Sequence, residues 1–520
     1  MQEIVTLLLT PEDSSIEKKY KQAAAKKLGI EPSRITFIRI TKKSVDARHR
    51  DVRINLSVQV FIDEAFHSPG TVKFNYSFVG NQEPVIIIGS GPAGLFAALR
   101  LIELGIKPVI FERGKDVSER KKDVALINRE HTVNPESNYC FGEGGAGTFS
   151  DGKLYTRSNK RGNLQKIYEV LHFHGAVEDI LFEAHPHIGT EKLPELIKNI
   201  RQTILNCGGE VNFNTRIDDL IIDSDLVKGA VTQNGESVYS RCVIMATGHS
   251  ARDFYKMLHS KNITLENKQF AVGVRAEHSQ ELIDKIQYHG TERGEYLPAA
   301  TYNLAEQING RGMFTFCMCP GGFIVPSATL QNQVVVNGMS PSGRNSPYAN
   351  SGIVVEVKQE DLATFSNHGI MAGIEFQEHL ENMAWQNGGR RQTAPAQRLD
   401  DFIKGRMSSS LPKTSYIPGI ISSPLHHWLP DFISKTLREG FKKFEQKMRG
   451  FITAEALVLG VESRTSSPLR IPRDKDSFCH VGIKGLFPCG EGSGYAGGIA
   501  SSAMDGENTA NKVAEFLKRT

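Results

Sequence analysis

Val85-Ile86-Ile87-Ile88 is an apolar run with no alternation, and it passes directly into Gly89-Ser90-Gly91-Pro92-Ala93-Gly94. A strand apolar at every position needs cover on both faces, as in the parallel sheet of an α/β fold. Each glycine of the GxGxxG turn then has a task. Gly89 permits the sharp turn, Gly91 lets a pyrophosphate approach the backbone, and Gly94 lets the following helix sit close to the strand. The helix expected from Leu95 to Leu104 stops at Gly105. A second strand follows from Pro108 to Phe111, and Glu112 stands at its end beside Arg113. A carboxylate there can accept both hydroxyls of an adenosine ribose and would repel a 2′-phosphate. A glycine turn alone is a weak signal, but this order of strand, glycines, helix, strand and acid predicts a two-nucleotide Rossmann fold.

The fingerprint does not separate NAD from FAD, so the far end of the chain has to decide. Gly485 to Pro488 reads as a buried strand ending in Cys489-Gly490-Glu491, and Tyr495-Ala496-Gly497-Gly498-Ile499 opens a helix expected from Ala500 to Leu517. Gly498 and Ile499 would present free N–H groups at that helix start, suited to the pyrimidine edge of a flavin. The positive helix end would stabilise an anionic reduced ring. Val243-Ile244-Met245 predicts a third strand closing on Ala246-Thr247-Gly248, and Ile217 to Tyr239 reads as a β-meander with Ile217 near the adenine. Tightly held, non-covalent FAD is therefore the expected cofactor. With no second GxGxxG between residues 250 and 480, NAD(P)H is expected at most as a transient reductant.

The stretch from Asn128 to Arg157 is irregular and glycine-rich. Gly144, Gly145 and Gly147 are read as backbone passing close to the cofactor, where side chains would collide with it. Three separated segments converging on one dinucleotide resemble the glutathione-reductase-like FAD fold across residues 84 to 250 and 480 to 520. More narrowly, Phe141-Gly142-Glu143-Gly144-Gly145-Ala146-Gly147-Thr148-Phe149-Ser150-Asp151-Gly152-Lys153-Leu154 is similar to bacterial FAD-dependent, NAD(FAD)-utilising dehydrogenases. The likeness extends through Pro186 to Thr190, Phe316 to Gly322, Asn337 to Ser340 and Arg464 to Arg470. It implies a flavin-dependent dehydrogenase or reductase acting on a small molecule.

A chain of 520 residues exceeds one ordinary core. The fold class expected is α/β: a three-layer FAD-binding Rossmann domain with a β-meander (84–260 plus 480–520), and a mixed α+β substrate domain inserted at 262–478. A small βαββ, ferredoxin-like domain at 1–81 precedes them. In that first segment Ser14-Ser15-Ile16-Glu17 reads as a capping box opening a helix that Gly29 ends, and Val52, Ile54, Leu56, Val58, Val60 and Ile62 alternate on one strand. It holds 13 Lys or Arg against 9 Asp or Glu, while the remainder balances. The imbalance leaves open a protein or RNA partner, though a solvated charged face is the plainer reading. No apolar run approaches the roughly 20 residues of a spanning helix, and seven scattered cysteines make no disulfide framework. A cytoplasmic setting is the expectation.

For the chemistry, His185 and His187 flank Pro186 and could exchange protons near neutral pH. Arg464 and Arg470 flank a Thr-Ser-Ser-Pro stretch before the terminal flavin motif, where an anionic substrate could pair with them; the alternative is a buried salt bridge. Cys317 and Cys319 invite a redox-disulfide reading, yet flavin disulfide reductases space their cysteines four apart on a helix. Alternating buried thiols in a strand are the plainer expectation, and no metal site is expected. Two other readings stay open. One is a flavin-containing RNA-modifying or regulatory protein docked through residues 1–81, and the other a flavoprotein monooxygenase.

Overall fold

The computed structural model describes residues 1–64, 74–156, 162–290 and 292–519; Arg157 and part of the expected 1–81 segment fall outside them. Gln2–Leu9, Arg53–Ile62 and Ile35–Asp46 form an antiparallel sheet with Arg53–Ile62 in the middle. The alternation of that strand buries Ile54, Leu56, Val58, Val60 and Ile62, and the helix Glu17–Leu28 covers the apolar face with Tyr20, Ala24 and Ala25. Gly29 ends the helix in the left-handed conformation, φ 68°, as expected. The capping box does not form. Pro11–Ser15 is a separate short helix capped by the Thr10 hydroxyl, and Ile16, with no side-chain acceptor, precedes the longer one. The cations of this segment are mostly solvated or paired on its surface: Lys19 with Glu12 and Asp13, Arg34 with Asp63, Arg48 with Asp46. The segment is docked on the rest of the protein, because Lys43 exchanges backbone hydrogen bonds with Phe182 and Ala184 while Val52 and Ile54 join a larger core.

Five parallel strands follow in the order Leu486–Pro488, Val243–Met245, Pro84–Ile88, Lys107–Phe111, Glu210–Asn212. The odd and even residues of the central strand explain its unbroken hydrophobicity. Val85 and Ile87 face the helices Pro92–Glu103 and Ile499–Arg519, whereas Ile86 and Ile88 face a core shared with Leu220 and Val227 of the antiparallel meander. The result is three layers: helices, parallel sheet, meander. The two helices cross so closely that a Cβ at Gly506 would stand 2.2 Å from the Ala93 carbonyl oxygen.

The region with least pattern in sequence holds the largest sheet. Seven strands run in the order Ala305–Ile308, Arg311–Cys319, Tyr348–Val357, Phe270–Ser279, Leu457–Glu462, Ala394–Arg398, Ile420–Ser422. Helices Ala372–Asn387 and Asp431–Lys447 cover it with Phe376, Leu380, Leu437, Phe441 and Phe444. No helix among the described residues is long and apolar enough to cross a membrane.

Candidate functional site

The strand Pro84–Ile88 ends at Gly89, whose φ of 103° takes the chain through the turn. Gly94 lies in the first turn of the next helix, and a Cβ there would meet the Gly89 carbonyl oxygen at 2.0 Å. Close helix–strand packing is thus the task of Gly94. Gly91 is the N-cap of the helix and offers no side chain to the first-turn N–H groups, leaving the positive end of the helix free for an anion.

That turn forms one wall of a cavity of about 410 Å³, within the roughly 300–1,000 Å³ of ligand clefts. Of the residues expected around a cofactor, Gly89, Gly91, Pro92, Ala93, Glu112, Arg113, Gly145, Gly147, Ile217, Ala246, Thr247, Gly248, Glu491, Gly497, Gly498 and Ile499 line it. Ser90, Gly94, Gly144 and Gly490 stand behind this wall. Gly144 supports the loop from the rear, where a Cβ would strike the Thr148 hydroxyl and Ile197. Gly490 is pinned by Asp505, which accepts its N–H at 2.7 Å and pairs with Arg473 at 2.6 Å.

Glu112 lines the cavity and is also engaged with backbone around it. Oε2 accepts from the Ser90 N–H and hydroxyl, at 2.9 and 2.8 Å, and Oε1 from the N–H groups of Gly114 and Gly142. A carboxylate has about four lone-pair directions, and four donors are already placed around this one. What the carboxylate does in this structure is tie the glycine turn to the loop that faces it.

Arg120 organises that loop and carried no signal in the sequence. Fully buried, it donates to the carbonyls of Asn138, Tyr139, Gly142, Glu143 and Gly145 and to the Thr148 hydroxyl. Burial pulls its pKa down to about 10, which leaves it charged at neutral pH.

The three residues expected to act in chemistry separate. Arg464 lines the cavity, but its guanidinium grips Glu381 through Nε and Nη2 at 3.0 and 2.9 Å, and Arg252 holds the other side of the same carboxylate. Burial pushes the Glu381 carboxyl up, and the two arginines more than offset it, holding it well below the usual range. The buried salt bridge is therefore present. Arg470 is outside the cavity lining, its guanidinium 5.6 Å from the Tyr495 ring centre and its buried Nε without a hydrogen-bond partner among the described residues. His187 is also outside the lining; its Nε2 is 3.0 Å from the Ser342 carbonyl, and burial followed by the Arg344 charge lowers its pKa.

The cysteine expectation needs correction. The ladder between Arg311–Cys319 and Tyr348–Val357 shifts register between Phe316 and Cys319, and Cys317 sits at φ 45°. Instead of two buried thiols on a regular strand, Cys319 is buried and Cys317 is half-buried on the cavity wall, with Phe316, Asn337 and Gly338. Among the described residues no group of three or more His, Cys, Asp or Glu could hold a metal.

The cavity suits a dinucleotide on the structure's own terms. Cβ atoms built on Gly248, Gly497 and Gly498 would meet nothing within 4 Å. The backbone there borders open space, as a planar ring and a pyrophosphate require. Residues 82–250 match the family described as "FAD binding domain", residues 269–465 that described as "FAD-dependent protein, C-terminal domain-like", and residues 1–61 a domain of unknown function. FAD is the cofactor. A thiamine thiazole synthase of Aeropyrum pernix is 26% identical over 33% of this chain and 56% of its own. Among solved structures, a flavin-dependent brominase overlaps 85% of this chain and 80% of its own at 14% identity and a TM-score of 0.36. A geranylgeranyl bacteriochlorophyll reductase-like protein of Thermoplasma acidophilum overlaps 84% and 80% at 14% identity and 0.35. At TM-scores this low these likenesses carry no weight for fold or chemistry. An uncharacterized protein of Clostridium beijerinckii, by contrast, is 38% identical over 98% of both chains, and this protein belongs to the same family; the matches at 82–250 and 269–465 mark it as a flavoprotein.

Proposed function

We propose that the protein is an FAD-dependent dehydrogenase or reductase in which flavin and an organic small molecule exchange a hydride. The exchange takes place where the nucleotide fold (84–260 plus 480–520) meets an inserted substrate domain (262–478). The observation that carries this reading is one cavity bordered at once by Gly89, Gly91, Pro92 and Ala93, by Gly497–Ser502 and, from the seven-stranded sheet, by Phe316 and Cys317. The parallel sheet backed by a β-meander supports the glutathione-reductase-like form of the fold.

Bound FAD supplies two-electron chemistry. The residues of this chain supply the setting. Backbone at Gly91 and the start of helix Pro92–Glu103 receives the pyrophosphate, with Gly145 and Gly147 facing it. Thr247 and Gly248 border the middle of the cleft. The helix Ile499–Arg519 turns its positive end on the cavity and favours negative charge gained there on reduction. Arg464, held with Arg252 against the single carboxylate of Glu381, shapes the wall. Any nicotinamide donor enters and leaves the same cleft.

The test is spectroscopic. Released by denaturation, the chromophore should be FAD, and anaerobic addition of a true substrate or of NAD(P)H should bleach the visible flavin band. Stoichiometric NAD in the purified protein, with no flavin, would refute the assignment.

A further inference from the structure

We propose that Cys317 and Cys319 form a redox-active dithiol/disulfide pair on the cavity wall, a second two-electron centre that exchanges electrons with the bound flavin. This rests on the flavin reading of the cavity. It starts from geometry. The bulge between Phe316 and Cys319 takes Cys317 out of the ladder into a left-handed conformation that a non-glycine residue rarely adopts, and such outliers gather at functional sites. The outcome is asymmetric: Cys317 opens on the same cavity as Gly91 and Gly498, while Cys319 stays buried behind it. One cysteine thus borders the cavity and its neighbour sits behind it, an asymmetry that suits an attacking and a resolving cysteine.

Two cations face the pair, each beside a carboxylate: Lys153 lies 3.5 Å from Asp151. Arg275, itself fully buried and paired with Glu462 at 2.9 Å, donates to the Cys317 carbonyl at 2.8 Å and reaches the Cys319 sulfur at 3.5 Å. The Lys153 ammonium donates to the carbonyl of Met318, between the two cysteines. Cys319 lies 3.3 Å from the Cys317 carbonyl, and its single S–H can turn from that oxygen to a Cys317 thiolate. Hydrogen bonding from Cys319, opposed by burial and helped by Lys153 and Arg275, holds Cys317 below the ordinary thiol range; the same contact and burial raise Cys319. A thiolate beside a thiol is the reactive ionisation state of a dithiol.

The electron balance closes without a further reagent. The Cys317 thiolate and the Cys319 thiol give up two electrons and one proton as the S–S bond forms. Oxidised FAD takes up both electrons and that proton to become the reduced anion, and the total charge is unchanged. Run backwards, the pair stores electrons that the flavin has received.

The experiment uses the FAD-loaded protein without air. One sample is treated with diamide and another with dithiothreitol; each is then denatured in N-ethylmaleimide and its peptides are mapped by mass. The expected result is an internal Cys317–Cys319 disulfide after diamide, and N-ethylmaleimide on both after dithiothreitol. Dithionite titration of the oxidised protein should consume about four electrons per flavin, and about two in Cys317→Ser and in Cys319→Ser. Both variants should keep bound FAD, which checks that they fold. Two labelled thiols after diamide, or about two electrons in the unaltered protein, would overturn the proposal. If no flavin is released on denaturation, the reading of the cavity fails instead, and the peptide map still decides whether the cysteines pair.

Discussion

Glu112 accepts two hydrogen bonds from Ser90, on the backbone N–H at 2.9 Å and the hydroxyl at 2.8 Å, so the acid closing the second strand is locked to the glycine turn after the first. With Gly114 and Gly142 donating to its other oxygen, one buried carboxylate fixes three segments. Glu112→Gln should replace an acceptor oxygen by a donor facing N–H groups. Hydrogen bonds to a charged group are worth about 1.5–3 kcal/mol each, and the variant should lose at least one. A lower chemical-denaturation midpoint and a weaker FAD dissociation constant are expected; unchanged values for both would show that the lock contributes nothing.

The glycines separate packing from cofactor contact. Gly94→Ala would press a methyl group onto the Gly89 carbonyl and should lower folding stability as well as FAD content. Gly497→Ala meets nothing within 4 Å and needs no left-handed dihedral. Its stability without cofactor should stay within about 1 kcal/mol, while FAD affinity falls roughly ten- to a hundredfold. Titrating flavin into each cofactor-free variant, alongside thermal unfolding, distinguishes the two effects.

Glu381 predicts an acid limit. Its carboxyl, buried between Arg252 and Arg464, is held well below the ordinary carboxylate range in the folded protein. A depressed carboxylate contributes stability that is fully present above the unfolded pKa and is lost as pH falls through the folded one. Stability should therefore decline progressively below about pH 4.5. Glu381→Gln, leaving two arginines buried without their anion, should cost roughly 3–5 kcal/mol at neutral pH and flatten that acid slope. Urea unfolding as a function of pH measures both.

Arg120 serves six acceptors around the Asn138–Thr148 loop. Arg120→Met keeps much of the stem and removes every donor, leaving buried carbonyls unpaired. The expected loss is on the order of 3–5 kcal/mol, with faster hydrogen exchange in the loop and reduced FAD retention. Normal exchange in that loop would show that its shape does not depend on the arginine.

Local pattern settled the nucleotide fold. Val85–Ile88, the glycines of Gly89–Gly94 and the helix stop at Gly105 act within a few residues of one another, so backbone sterics and two-sided burial are readable along the chain. The same holds for the parallel strand Val243–Met245 and the terminal helix, which pack against that strand and that first helix. The seven-stranded sheet was not legible in this way. Its Phe270–Ser279 strand is buried on both faces and pairs with residues almost two hundred positions away, near Leu457–Glu462, so neither alternation nor spacing announces the partner. Side-chain roles also waited for the fold: only in three dimensions do Arg464 and Glu381 meet, does Arg120 find its six acceptors, and does a shift in ladder register turn Cys317 toward the cavity. Sequence fixes what neighbouring residues impose on the backbone; where a charge or a thiol ends up depends on distant segments that only folding brings within reach.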